Sequence, residues 1–206
     1  MLKKVSIAVF VSGGGTNLQA LIDAQKNGIL KSGNISIVIS SNPAAYALKR
    51  AEQNGIPTYT VEKKQFQSQI DFENEISKIL SSFYVDLIVL AGFMCILSED
   101  FTSKYPKQIV NIHPSLIPSF CGKGYYGLRV HEAALKRGVK ITGATVHFVN
   151  EIPDGGEIIY QKAVKIKKND TPEILQKRVM EQAEQKILPL AVEKVCANII
   201  KGRKNK

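Results

Sequence analysis

Residues 5–17 read Val5-Ser6-Ile7-Ala8-Val9-Phe10-Val11-Ser12-Gly13-Gly14-Gly15-Thr16-Asn17, and the reading of this stretch decides the fold. Val5–Val11 is apolar except at Ser6, the pattern of a strand buried on both faces. Three glycines break the run. Asn17–Asn27 then carries Leu18, Leu21, Ile22 and Ala24 at helical spacing, with Gly28 as its stop. A buried strand that turns through glycine into an amphipathic helix is the opening unit of a parallel sheet flanked by helices. Lys3-Lys4 ahead of the run imitates a secretory leader, but no small-x-small cleavage pattern follows, so the segment reads as a strand.

The alternation continues. Strands are expected at Ile35–Ser40, Thr58–Val61, Leu87–Ala91 and Ile109–Ile112, with helices over about 44–54 and 71–83 and a short one from Ser98-Glu99-Asp100. A polar, glycine-rich loop fills 113–126, and a helix runs from it to Arg137. Thr142–Val149 alternates as a half-buried strand, and Ile158–Ile166 follows across the turn Pro153-Asp154-Gly155-Gly156. Thr171-Pro172-Glu173 opens a closing helical region, proline standing first, that is expected to reach Ile200 with a kink at Pro189. The fold class is therefore α/β: a doubly wound, mostly parallel, Rossmann-like sheet with helices on both faces. One catalytic domain spans 1–200, and a basic tail occupies 201–206.

Composition narrows the function classes. With 206 residues, 44% hydrophobic and 22% charged, the chain is of globular type, and its length buries roughly 70% of the unfolded surface. Three cysteines, Cys95, Cys121 and Cys196, have no CxxC spacing, which argues against a disulfide framework and a cysteine zinc site and fits a reducing cytosol. The longest apolar run, Leu87–Leu97, covers 11 residues, short of the roughly 20 a bilayer needs. A net charge of +10 invites a nucleic-acid reading, but six of those charges sit at Lys3, Lys4, Lys201, Arg203, Lys204 and Lys206, leaving +4 for residues 5–200. No internal basic run is interleaved with aromatics. The expectations are a cytoplasmic protein with small-molecule partners, no nucleic acid, no membrane, and a monomeric or homodimeric state.

Three constellations carry chemistry. Ser12-Gly13-Gly14-Gly15-Thr16-Asn17 opens a helix, where glycines allow close backbone approach and the helix start offers unpaired N–H groups to an anion. It reads as a phosphate seat or as a plain glycine turn, and it is neither a Walker loop nor a dinucleotide fingerprint. In Asn111-Ile112-His113-Pro114, period two puts the amide and the imidazole on one side of a strand end, where they could grip an oxyanion and move a proton. The alternative is a core histidine bonded to a backbone carbonyl. Asp154 is either turn chemistry or a carboxylate that reaches the same rim and favours protonated His113. Of the other histidines, His131 reads as a solvated surface residue and His147 as support behind the site; neither has metal-ligand spacing.

Taken together, Gly13-Gly14-Gly15-Thr16-Asn17-Leu18-Gln19-Ala20, Ala91-Gly92-Phe93-Met94-Cys95-Ile96-Leu97, Asn111-Ile112-His113-Pro114-Ser115-Leu116-Ile117-Pro118 and Thr145-Val146-His147-Phe148-Val149 with Asp154-Gly155-Gly156 resemble the phosphoribosylglycinamide formyltransferases. These are folate-dependent enzymes of purine synthesis, and the resemblance covers about 5–191. It implies Asn111, His113 and Asp154 as catalytic residues, and Gly15, Thr16, Asn17 and Glu184 as contacts to phosphoribosylglycinamide. Met94, Cys95, Ile96, Leu97 and Asn111 are implied as folate contacts, with 10-formyltetrahydrofolate as cosubstrate, no metal, and the loop 150–154 closing over the pterin. Two departures stand out. Gln69 occupies a place where the family often has arginine toward the folate tail. The loop Cys121–Gly127, with Lys123, Tyr125 and Tyr126, is longer than the family's Pro-Gly-x-His form. The related methionyl-tRNA formyltransferases and formyltetrahydrofolate hydrolases are expected to carry, respectively, a further tRNA-binding domain and a preceding regulatory domain.

Overall fold

The computed structural model describes residues 3–204. Seven strands form one sheet: β1 (Val5–Val11), β2 (Gly33–Ser40), β3 (Thr58–Thr60), β4 (Leu87–Leu90), β5 (Ile109–His113), β6 (Ile141–Phe148) and β7 (Ile158–Lys165), in the order β3-β2-β1-β4-β5-β6-β7. β3 through β5 pair in parallel; β6 and β7 are antiparallel. The helices are α1 (Thr16–Lys26), α2 (Tyr46–Glu52), α3 (Gln69–Ser82), α4 (Glu99–Thr102), α5 (Leu128–Arg137), α6 (Pro172–Val179) and α7 (Gln185–Lys204). The expected doubly wound sheet is present.

Period two along β1 splits its side chains between two cores. Val5, Ile7, Val9 and Val11 pack in one with Leu18 and Leu21 of α1 and Leu188 and Val192 of α7. Ala8 and Phe10 pack in the other with Phe72 and Ile76 of α3 and Phe101 of α4. Each buried leucine or phenylalanine contributes about 1.5–3 kcal/mol. On β5 the same alternation sends Val110 and Ile112 to the first core, and so Asn111 and His113 to the opposite face. On β6, His147 and Thr145 lie opposite those two in register.

Several boundaries differ from expectation for physical reasons. β2 begins at Gly33 rather than Ile35, because the ladder with β1 runs to the Val5–Gly33 pair. α2 starts at Tyr46, because the Asn42 side chain accepts the Ala44 N–H at 3.0 Å and holds a turn where the helix was expected. The closing helical region is interrupted by a π turn, Met180–Glu184, ahead of Pro189, which itself lies inside α7. α7 continues through Lys204, and Arg203 pairs with Asp86, so the expected tail is helical as far as it is described; 205 and 206 lie outside the described residues.

Candidate active site

The chain leaves β1 toward β2 and β3 on one side, then returns to β4 and β5 on the other. Ligands collect at such a reversal of strand order. There, between the carboxyl ends of β1 and β4, opens a cavity of about 870 Å³, within the usual range of about 300–1,000 Å³ for small-molecule sites.

One end is the glycine bend: Gly14, Thr16 and Asn17 line the cavity. Gly15 does not. It caps α1 in the left-handed region at φ 71°, and a Cβ there would come within 2.6 Å of the Ala47 Cβ, so its role is to let α2 approach. Asn17 Nδ2 donates to Glu184 Oε2 at 2.7 Å, joining α1 to the π turn. Glu184 is buried and lines the cavity; burial pushes its carboxyl above the ordinary range, and the Asn17 amide only partly offsets this.

At the centre, Asn111, His113 and Asp154 converge. His113 Nδ1 is 3.5 Å from Asp154 Oδ2, and His147 Nε2 is 3.5 Å from Asp154 Oδ1. Asp154 arrives by an indirect route. β6 runs antiparallel to β5, so its last residue pairs with Val110, away from the strand end, and the connection folds back over the sheet face. Gly122 N–H donates to Asp154 Oδ2 at 2.8 Å, and His113 Nε2–H donates to the Phe120 carbonyl at 2.9 Å. The backbone bond thus coexists with a place in the cavity wall. His147 Nδ1 lies 2.8 Å from the Phe148 carbonyl, and its Nε2 lies between Asn111 Nδ2, at 3.2 Å, and Asp154 Oδ1.

The electrostatics correct one expectation. Burial is the largest influence on His113 and pushes its pKa below the ordinary value; Asp154 and the Phe120 carbonyl act upward without prevailing. The imidazole is therefore neutral at pH 7 in the free protein, with Nδ1 a vacant base facing a carboxylate. Burial alone would raise Asp154, but the His147 hydrogen bond, the charge His113 carries when protonated and the Gly122 amide together hold it below the usual carboxylate range.

Opposite the glycine bend, the chain after β4 supplies Gly92, Phe93, Met94, Cys95 and Ile96 to the wall. Met94 and Ile96 are exposed at 57% and 65%, an apolar shelf. Leu97 packs on the core beneath the shelf and is absent from the wall. Gln69 Nε2 donates to the Ile96 carbonyl at 3.1 Å, so it braces the shelf. Of the loop 150–154, Pro153 and Asp154 reach the cavity.

Two contacts carried no signal in sequence. Gly122 and Phe120 act through backbone atoms. The loop around them also places Lys123, Tyr125 and Tyr126 on the wall. His131, expected at the surface, is fully buried on α5, its ring nitrogens have no partner among the described residues, and it lies in the cavity wall. Burial, and then the charge of His113, push its pKa down to about 4.

An amide, an imidazole and a carboxylate at the switch point of a doubly wound sheet, beside an anion-type bend and an apolar shelf, define a group-transfer enzyme site. The formyl transferase family model matches residues 5–192. The chain belongs to the formyl transferase family. It is 38% identical over 201 residues to phosphoribosylglycinamide formyltransferase of Escherichia coli, covering 98% of this chain and 92% of that protein. It is 44% identical over 203 residues to the human trifunctional purine biosynthetic protein adenosine-3, covering 98% of this chain but spanning only 19% of that relative. Among solved structures, glycinamide ribonucleotide transformylase 1 from Symbiobacterium toebii superposes with a TM-score of 0.88 at 36% identity, over 95% of this chain and 89% of that one.

Proposed function

We propose that this chain transfers the formyl group of 10-formyltetrahydrofolate to the amine of phosphoribosylglycinamide, releasing tetrahydrofolate, in purine biosynthesis. The observation that carries the reading is the His113–Asp154 approach beside Asn111, within a cavity shared by the glycine bend and the apolar shelf. The shelf of Met94, Cys95 and Ile96 suits a flat heteroaromatic donor, and the N–H groups of the bend suit a phosphate. The donor supplies an activated formyl carbon.

The second N–H of Asn111, unclaimed by the protein, donates to the formyl oxygen as charge builds there; losing such a donor costs about 10²–10³ in turnover. As the amine nitrogen bonds to the formyl carbon, it sheds a proton. His113 Nδ1 takes that proton, directly or through water, and Asp154 stabilises the imidazolium so formed. The bond from the formyl carbon to the folate nitrogen then breaks, and His113 returns the proton to that nitrogen. No step needs a metal or a covalent enzyme intermediate. Glu184, buried at the acceptor end, receives the glycinamide portion, and phosphate binding remote from the reacting atoms orients the amine. Nucleic acid has no part in this reading. Purified protein given both substrates should show the absorbance change of folate deformylation, and His113→Ala should abolish it. A His113→Ala variant with near-normal turnover removes the basis of the assignment.

A further inference from the structure

Three consecutive glycines can adopt almost any backbone conformation, and a bend that binds an anion works only if its carbonyls point elsewhere. Here each carbonyl is claimed from behind. Asn42 Nδ2 donates to the Ser12 carbonyl at 3.3 Å, Ala47 N–H to that of Gly13 at 3.1 Å, Arg50 Nε–H to that of Gly14 at 2.8 Å, and Gln19 N–H to that of Gly15 at 2.9 Å. The backbone N–H groups of Gly13 through Asn17, by contrast, have no acceptor among the described residues. Asn17 Oδ1, an acceptor and so no part of that donor set, is buried without a partner among the described residues. A bend with satisfied carbonyls and open donors is a nest awaiting an anion.

We propose that Arg50 is a positioning residue for the phosphate of the acceptor, an inference that rests on the reading of the acceptor as phosphoribosylglycinamide. Its guanidinium is held on three sides: by the Gly14 carbonyl, by Gln19 Oε1 at 3.2 Å, and by the Tyr46 ring, 5.0 Å to the centroid. The bond at Gly14 matters most. The peptide between Gly14 and Gly15 has glycine on both sides and flips at little steric cost. Flipped, it would turn a carbonyl oxygen on the phosphate and take a donor away. Arg50 holds the unflipped form and places a positive charge directly behind the bend.

The test compares two acceptors, phosphoribosylglycinamide and its dephosphorylated riboside. In Arg50→Met, kcat/KM for the phosphorylated acceptor should fall by about 10–100-fold, the worth of a charged hydrogen bond, while the riboside and the KM of the folate donor stay unchanged. Arg50→Lys keeps the charge without the fork and should show a smaller fall. A structural role alone would not change the preference between acceptors, so retention of that preference by either folded variant overturns the proposal. Inorganic phosphate titrated into the 15N-labelled protein gives a second readout that needs no turnover. It should shift the amides of Gly13–Asn17 in the parent and not in Arg50→Met, and equal shifts in both overturn the proposal. A parent that binds phosphate there yet transfers no formyl group would instead count against the formyl-transfer reading.

Discussion

His131 makes acid stability a test of the buried imidazole in the cavity wall. Its pKa is about 4 in the folded protein against 6.5 for an unperturbed histidine, because the ring is fully buried without a partner and faces the charge of His113. Between these values the unfolded chain binds the proton and the folded one does not, so stability falls as pH drops from 6.5 and levels off below about 4. At 1.36 kcal/mol per pKa unit, this one residue costs about 2 kcal/mol at pH 5 and about 3 kcal/mol at pH 4. His131→Phe keeps the shape, removes two unpaired polar atoms, and should leave stability at pH 7 unchanged or raised. Urea unfolding followed by circular dichroism, at about pH 7 and about pH 5, should show the variant losing about 2 kcal/mol less than the parent over that interval. The variant also removes the repulsion between the His131 and His113 charges, so the difference of about 2 kcal/mol includes that coupling. An equal loss in the variant, or a His131 resonance that titrates near 6.5, refutes the reasoning.

Two further substitutions probe the site. Asp154→Asn keeps an acceptor for the Gly122 amide but removes the charge that acts upward on His113. Turnover should drop by about 10²–10⁴, and the His113 resonance should titrate at still lower pH; parental turnover would take Asp154 out of the proton path. Gly15→Ala forces an alanine to φ 71° and drives its Cβ into Ala47, 2.7 Å from the Cα. The conformation costs about 1–2 kcal/mol and the crowding about 1–3 kcal/mol, which thermal unfolding would report as a lowered Tm.

The sheet was legible because doubly buried strands announce themselves. Val5–Val11 is a strand to the residue, and the second face of β5 follows from period two once Val110 and Ile112 are placed in the core. Asn111, His113 and Asp154 were legible as residue types whose positions topology could bring together. What failed to show depended on packing between elements. α5 puts Val130, His131 and Ala134 inside because α6 packs over it, and nothing in α5 itself announces that neighbour. Leu97 belongs to the core rather than the shelf for the same reason: α3 lies beneath, and the shelf's sequence is apolar on both sides. Backbone donors and acceptors are silent in any sequence, so neither Phe120 nor Gly122 could be found by residue type. The π turn is equally silent; it arises where a helix carries Glu184 into the cavity and still docks α7 on the sheet.

The silent atoms explain why a neutral histidine and an ionised aspartate sit face to face. Left alone, the Nδ1 lone pair and the carboxylate repel at 3.5 Å. The alternative tautomer, with hydrogen on Nδ1, would relieve that contact but abandon the Phe120 carbonyl. The loop that claims Nε2–H through Phe120 also claims Asp154 through Gly122, two residues on, and both Phe120 and Asp154 stand at positive φ, 51° and 57°. Such backbone costs on the order of 1–3 kcal/mol per residue and persists where surrounding contacts enforce it. The enforced arrangement stores a proton-accepting pair, since a proton arriving at Nδ1 turns repulsion into an ion pair. The loop that carries Phe120 and Gly122 is thus the one that fixes the tautomer. Its displacement would release the histidine and the carboxylate together.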